Sequence, residues 1–265
     1  LLTGKPFRIE RIRANRSQPG LRAQHLASVE AARRLGRARV QGLELGSSRL
    51  VFEPEPYDAT DLTIAIGTAG ATGLILHTLA LPLAIRAEAP VRLTLQGGTF
   101  NLNAPSYPFL ETTWAAYQRQ MGLPARLEMR RAGFYPWGGG ELVAQLAPGR
   151  PAGVNLLDRG PLTRIRGVAG VSGLDRSIAR RMRRRAENRL EALGVDVAIE
   201  EIAWPSHRPG VAIALIAEHE GTVPATFVGL GERGKPSEAV ADEAVKELLA
   251  FEAVPAAVDP HSADQ

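Results

Sequence analysis

The sequence predicts an α/β fold of α+β layers, built from βαβαββ repeats with a small inserted βαβββα domain. Two observations carry the prediction. Strand-like and helix-like segments run βαββ up to residue 52, and the order then restarts as βαβαββ over residues 62–146. Past Pro148-Gly149-Arg150-Pro151 the character changes, and a βαβββα set follows. The expected division is a core of residues 1–156 with 253–265, and an inserted domain of residues 157–252.

Taken in order, residues 7–13 read as a strand and 23–35 as an amphipathic helix, with strands at 39–42 and 48–52. Short runs rich in β-branched and aromatic residues mark strands, and apolar residues three or four apart mark helices. The second set places strands at 62–66 and 91–96, helices at 71–85 and 109–120, and a strand pair at 126–131 and 141–146 across a glycine-rich turn. This is a repeat of architecture rather than of letters. In the third set a short strand at 164–168 precedes a helix capped by Asp175 and stopped at Gly194. Strands at 195–202, 211–218 and 225–229 follow, then a helix over 237–251 opened by Ser237 as its cap. Residues 253–265 are expected to return to the larger domain.

Both ends read as interrupted. Leu1-Leu2-Thr3-Gly4 resembles the last turn of a helix with glycine just past it, and a helix is due to begin near Asp259-Pro260. The expectation is a piece of a longer chain whose first repeat lacks its opening strand and most of its first helix.

With 265 residues, 45% hydrophobic and 23% charged, the chain has the composition of a globular protein with a sizeable core. It has no cysteine, which excludes disulfides, thiolate catalysis and Cys-based zinc sites. No apolar run approaches the ~20 residues of a membrane span and no signal peptide is visible, so a cytoplasmic location is the default. The net charge of +4 and a pI near 9.8 lean towards an anionic partner. Aromatic residues make up only 5%, which argues against a reader of single strands built on stacked aromatic platforms.

The stretch with the clearest chemistry is Arg13-Ala14-Asn15-Arg16-Ser17-Gln18-Pro19-Gly20-Leu21-Arg22-Ala23-Gln24-His25. Three arginines surround a Pro-Gly turn, and an amide and an imidazole follow where a helix begins. Guanidinium forks and a helix start with free N–H groups suit a phosphate oxyanion. A second basic feature is the helix from Asp175, with seven arginines between Arg176 and Arg189. Ile178, Met182, Ala186 and Leu190 give it one apolar stripe, so its arginines read as a solvated face.

Among the five histidines, His207 and His219 read as loop or surface residues, and His77 as a satisfied residue of an apolar helix. That helix opens at Gly67-Thr68-Ala69-Gly70-Ala71-Thr72-Gly73, a permissive strand-to-helix turn that is neither a Walker nor a Rossmann motif. Gly133-Phe134-Tyr135-Pro136-Trp137-Gly138-Gly139-Gly140-Glu141 is less generic, and calls for close backbone approach or an unusual turn between strands.

In combination these motifs resemble the RNA 3′-terminal phosphate cyclase family. The resemblance rests on Arg13-Ala14-Asn15-Arg16 through His25, Glu44-Leu45-Gly46-Ser47, Gly97-Gly98-Thr99 with Ala104-Pro105, the glycine-rich segment from Gly133, and the closing Ala263-Asp264-Gln265. It covers essentially the whole chain. The implied fold is the βαβαββ repeat shared with enolpyruvyl transferases plus a small inserted domain.

The implied activity is a ligase-type, ATP-dependent step in RNA processing. A histidine takes AMP from ATP, AMP passes to the RNA 3′-phosphate, and the adjacent 2′-hydroxyl closes a 2′,3′-cyclic phosphate and expels AMP. The implied cofactors are ATP and a divalent cation, Mg or Mn; the implied partner is RNA with a 3′-phosphate end, and no membrane. Carried over by motif, Arg16, Gln24 and His25 hold the RNA 3′-phosphate. Pro105 and Phe109 flank the adenine, and His261, Ser262, Ala263, Asp264 and Gln265 match the nucleotide-contacting segment. His77 falls where the family usually has a glutamine contacting ATP, and His261 where an aromatic residue is common.

The family's GGGQxxR opening would precede Leu1, and its nucleophilic histidine, in an SxHxxTN-like segment, would lie beyond Gln265. None of the five histidines matches that site, so the chain by itself is expected not to adenylylate. Two competing readings remain: a non-catalytic relative serving as an RNA-processing or ribosome-assembly scaffold, and an enolpyruvyl transferase. The few lysines disfavour the second.

Overall fold

A computed structural model describes residues 1–66, 70–102, 104–206 and 208–263. It is a mixed α/β molecule with three sheets. The first contains β1 (Phe7–Ile9), β2 (Arg39–Gln41) and β3 (Leu50–Glu53) in the order β1-β3-β2, with α1 (Ala23–Leu35) in the β1–β2 connection.

The second sheet is β4 (Leu62–Ala65), β5 (Val91–Gly97), β6 (Ala125–Arg131) and β7 (Gly140–Leu146), ordered β4-β5-β7-β6. β4 and β5 run parallel, joined through α2 (Thr72–Arg86), and the other pairs are antiparallel. A parallel pair needs such a crossover, and its helix covers the sheet. Between β5 and β6 the chain forms α3 (Tyr107–Phe109), a π-helical turn (Leu110–Trp114) and α4 (Ala115–Gln120). In β5, Val91, Leu93 and Leu95 are buried while alternate residues face away. With Leu76, Leu79 and Leu83 of α2 they form the first core. β1-β3-β2 has the same pairing senses as β5-β7-β6.

The third sheet is β8 (Leu162–Ser172), β9 (Asp196–Ala203), β10 (Gly210–His219) and β11 (Ala225–Leu230), ordered β11-β10-β8-β9. Two helices cover it, α5 (Ser177–Leu190) and α6 (Ser237–Glu252), and a second core forms between them and the sheet. Met182, Ala186 and Leu190 are fully buried and Ile178 packs beside them, so the apolar stripe of α5 faces the sheet. The last element is α7 (Pro260–Ala263), where Asp259 Oδ1 accepts from the Ser262 N–H at 3.0 Å.

The segment following Gly133 joins the second and third sheets. Phe134 stacks on Phe100 at 4.7 Å and meets Trp204, against Ala132 and Ala212. A Cβ at Gly210 would lie 2.1 Å from the Phe134 ring, so only glycine lets β10 pass there. Gly133 and Gly140 approach each other so closely that a Cβ on Gly133 would lie 2.4 Å from Gly140 N. Gly133 and Gly140 are there for backbone proximity, whereas Gly138 and Gly139 take left-handed backbone, with φ of 67° and 75°.

Several expectations are corrected. Residues 1–6 contain no helix; Leu1 instead packs against the first core. The first strand ends at Ile9, not residue 13, because the chain turns away into the arginine loop. β8 is eleven residues long, since both its neighbours pair along it. Ser237 is the first residue of α6 rather than its cap, which is Pro236. His219 is not a surface residue: its side chain is buried, with Nε2 3.1 Å from Glu252 Oε1. His207 and residues 67–69 lie outside the described residues.

Candidate functional site

The arginine loop leaves β1 through two tight turns. The Ala14 N–H donates to Arg11 O at 3.1 Å and the Arg16 N–H to Arg13 O at 3.0 Å. Arg11 and Arg13 both take left-handed backbone, with φ of 56° and 53°, which L-residues adopt at a cost. The Arg13 side chain turns inward, and its Nη1 donates to Gln18 O at 2.6 Å and Gly20 O at 3.2 Å. Arg13 therefore holds the loop together. Arg16 is exposed and makes no side-chain bond or ion pair among the described residues.

The loop is fastened at Gly20. Its N–H donates to Ile12 O at 2.9 Å, the Leu21 N–H to Ser47 O at 2.9 Å, and the Gly46 N–H to Leu21 O at 2.8 Å. Gly20 has φ of 78°, and a Cβ there would lie 2.1 Å from Gly46 O. The Glu44–Ser47 turn is thus the clamp on the Pro-Gly turn.

α1 begins immediately afterwards. The Arg22 N–H donates to His25 Nδ1 at 2.9 Å, closing the first helical turn. A ring nitrogen that accepts carries no proton, so the neutral imidazole keeps its hydrogen on Nε2, a donor. Burial, followed by the charges of Arg13 and Arg22, lowers the His25 pKa from its ordinary value. A neutral donor therefore stands beside guanidinium groups, and Gln24 is exposed in the same helical turn. Arg16 belongs to the exposed part of the loop, and Gln24 and His25 to the first turn of α1, which follows the clamped Pro-Gly turn.

A cleft of about 450 Å³ opens elsewhere, between the segment that follows β5 and the third sheet with α6. Pro105, Phe109 and His261 all line it. The His261 ring meets Phe109 edge-on at 6.4 Å, and its Nε2 lies 3.0 Å from Glu247 Oε2. The opposite wall is Thr226, Val228 and Leu230 of β11 with Glu243 and Glu247 of α6. A buried bond between Thr113 Oγ1 and Thr226 Oγ1, 2.8 Å, with a second from Thr113 Oγ1 to Pro224 O at 2.7 Å, fixes the helical stretch against β11. The volume falls in the range of small-molecule sites, and the lining mixes apolar faces with a few polar groups.

The other predicted residues are placed differently. Ser262 faces a smaller apolar cavity of about 270 Å³ on the far side of Phe109, with Trp114 and Tyr117. Ala263 lines neither space and closes α7. His77 stacks on Trp114 at 5.4 Å and is not part of the cleft lining. Arg16, Gln24 and His25 do not line the cleft either. Asp264 and Gln265 lie outside the described residues. Sequence reasoning did not name Glu243 and Glu247. Their spacing of four on one helix was a signal, because it puts both on the same face.

Five of the six arginines of α5 face carboxylates, and Arg184 makes no ion pair among the described residues. Arg185 and Arg189 share Asp242 at 2.8 and 2.9 Å, Arg183 meets Glu201 at 2.9 Å, and Arg180 and Arg181 face Glu201 and Glu238. Hydrogen bonding from Arg185 lowers the Asp242 pKa.

A model of the family described as "RNA 3'-terminal phosphate cyclase" matches residues 1–265. The chain belongs to the RNA 3′-terminal phosphate cyclase family. A relative named RNA 3′-terminal phosphate cyclase from Ralstonia nicotianae is 43% identical over 272 residues, covering 100% of this chain and 76% of its own. A relative of that name from Nostoc punctiforme is 39% identical, with 100% and 78% covered, and one from Saccharolobus islandicus is 38% identical, also with 100% and 78% covered. The motif order that suggested the cyclase family thus corresponds to similarity along the whole chain. Among the described residues, no helix is long and apolar enough to cross a membrane.

Proposed function

We propose that the chain takes part in the ATP-dependent conversion of an RNA 3′-terminal phosphate to a 2′,3′-cyclic phosphate, through enzyme-AMP and RNA-adenylate intermediates. The observation that carries this reading is the convergence of Pro105, Phe109 and His261 on one cleft in a member of this family. Pro105 and Phe109 supply apolar faces for adenine, and His261, steadied by Glu247, adds a flat ring at the same wall. Arg16, Gln24 and the Nε2–H of His25 take the RNA 3′-phosphate, with charge from Arg16 and neutral donors from the other two.

Two-step transfer through an enzyme-bound adenylate divides one difficult displacement into easier ones. The divalent ion neutralises triphosphate charge when bound. Among the described residues, no three His, Asp or Glu side chains gather as metal ligands. Mg²⁺ commonly takes substrate phosphates, waters and only one or two carboxylates, so we assign it no protein ligand. We read the first two sheets as βαβαββ repeats of the kind shared with enolpyruvyl transferases, and residues 157–252 as the inserted domain. Phe109 and His261 lie on the core side, and β11 and α6 on the inserted side, so the nucleotide would bind where the two meet.

None of the histidines is assigned as nucleophile. The test is intact mass after incubation with ATP and a divalent ion, for this chain and for the full gene product. The expected result is a gain of one AMP on the full product alone, together with conversion of a 3′-phosphorylated RNA to a phosphatase-resistant end. A gain of AMP on this chain would make His261 or His25 the nucleophile and overturn their assignment to the binding sites. No gain on either overturns the cyclase reading in favour of a scaffold.

A further inference from the structure

Three aromatic side chains, Phe7, Tyr135 and Trp137, are exposed among the described residues. Two of them share one loop. Tyr135 is 69% and Trp137 57% exposed, although the loop on either side is firmly held. The Gly133 carbonyl accepts the Thr99 and Phe100 N–H groups at 2.9 Å each, the Gly138 N–H donates to Phe134 O at 2.8 Å, and Arg131 Nε donates to Gly139 O at 2.6 Å. Two large apolar rings held in water on a braced hairpin cost hydration without contributing to a core.

Arg208 completes the group. Its guanidinium carbon lies 4.9 Å from the centre of the Trp137 ring, and it makes no ion pair among the described residues. Its main chain is fixed as well, because the buried Ser172 hydroxyl donates to Arg208 O at 2.6 Å. The neighbouring Arg130 and Arg131 face Glu128 and Glu141, and all the arginines of α5 except Arg184 face carboxylates. Arg208 is therefore a cation over an indole ring with no carboxylate partner among the described residues, and its N–H groups can donate to an anion.

The group adjoins the cleft. Thr99 and Phe100, bonded to Gly133, lead directly into Asn101 and Leu102, which line it. We propose that Tyr135, Trp137 and Arg208 form a platform for the single-stranded RNA upstream of its reacting 3′ end, with nucleobases on the rings and a backbone phosphate on Arg208. This rests on the cyclase reading for the identity of the polymer. Ring faces accept any base, so the platform binds without sequence preference. It would give a chain poor in aromatic residues a local stacking surface, at the place where the polymer must enter.

The test compares affinities for a 5′-labelled decaribonucleotide carrying a 3′-phosphate, by anisotropy, and for uridine 3′-monophosphate, by ligand-observed NMR. Trp137→Ala is expected to weaken the decaribonucleotide by about 5- to 100-fold and to leave the mononucleotide unchanged, while Trp137→Phe stays close to wild type. A series of RNAs with single abasic positions, bound to unaltered protein, is expected to lose affinity at one or two positions upstream of the end. Equal affinity of Trp137→Ala and wild type, equal weakening for both ligands, or indifference to every abasic position would overturn the platform. A 3′-hydroxyl decaribonucleotide separates the two levels. If it binds as tightly as the 3′-phosphate form and Trp137→Ala still weakens both, the phosphate site is wrong and the platform stands. No binding of either RNA overturns both.

Discussion

Two regions of the molecule concentrate arginine, and they use it in opposite ways. The loop from Arg11 to Arg22 spends one guanidinium, Arg13, on its own carbonyls and leaves Arg16 unpaired on a strained, clamped turn. Helix α5 carries more arginines, but those directed at β9 and α6 meet Glu201, Glu238 and Asp242. A charge already matched by a carboxylate offers little to an incoming phosphate, because the partner must first be displaced. Density of basic residues is therefore a poor guide to an anion site. An unmatched guanidinium on a rigid backbone is a better one.

The comparison breaks most completely if the loop loses its clamp. Gly20→Ala places a Cβ against Gly46 O and forces a left-handed backbone on alanine, so a stability loss of about 2–4 kcal/mol in urea unfolding is expected, with loss of 3′-phosphate RNA binding. Unchanged stability would mean the loop does not need the Gly20–Gly46 approach.

Removing one unmatched charge comes next. Arg16→Ala is expected to weaken binding of 3′-phosphorylated RNA by about 1.5–3 kcal/mol, or roughly 10- to 150-fold, without moving the unfolding midpoint. The matched control, Arg183→Ala, is expected to change that affinity less than about twofold. Equal effects of the two would erase the distinction between the regions.

A smaller effect turns one region into the other. Asp242→Ala frees Arg185 and Arg189 together, at little cost in stability because solvent screens pairs this exposed. Non-specific RNA binding is expected to rise a few-fold, and its logarithmic salt slope to steepen by about 1.4 for two added phosphate contacts. An unaltered slope would show that carboxylates are not what keeps α5 from RNA.

The smallest effect concerns pH. Burial and the nearby arginines lower the His25 pKa in the folded state, so between that value and the ordinary one near 6.5 the unfolded chain binds more protons. Stability from neutral His25 is therefore complete above the ordinary value and declines as pH falls below it. His25→Gln is expected to flatten that part of the stability–pH curve, measured by urea unfolding between about pH 5 and 7.5. A decline of the same steepness in the variant would remove His25 as its source.

Local pattern carried much of the architecture. α1 falls on residues 23–35 as its apolar spacing requires, and the strand pair β6–β7 brackets the glycine-rich turn, because periodicity and turn chemistry act over neighbouring residues. The left-handed glycine at Gly194 ends the α5 region for the same reason. The arginine loop suggests an anion site from sequence because Pro-Gly, arginines and a helix start lie within one short stretch.

What the tertiary structure alone decided is which groups face one another. Glu243 and Glu247 reach the cleft because α6 packs beside β11, and His219 is buried because Glu252 comes back to meet it across 33 residues. Arg13 and Arg16 look alike in sequence, yet one is consumed by Gln18 and Gly20 carbonyls and the other is not. The sequence by itself determined the helices, most strands and the family motifs, since these depend on residues close along the chain. Pairing of charges and closing of the cleft depend on residues far apart, whose distances are set only when the sheets pack together.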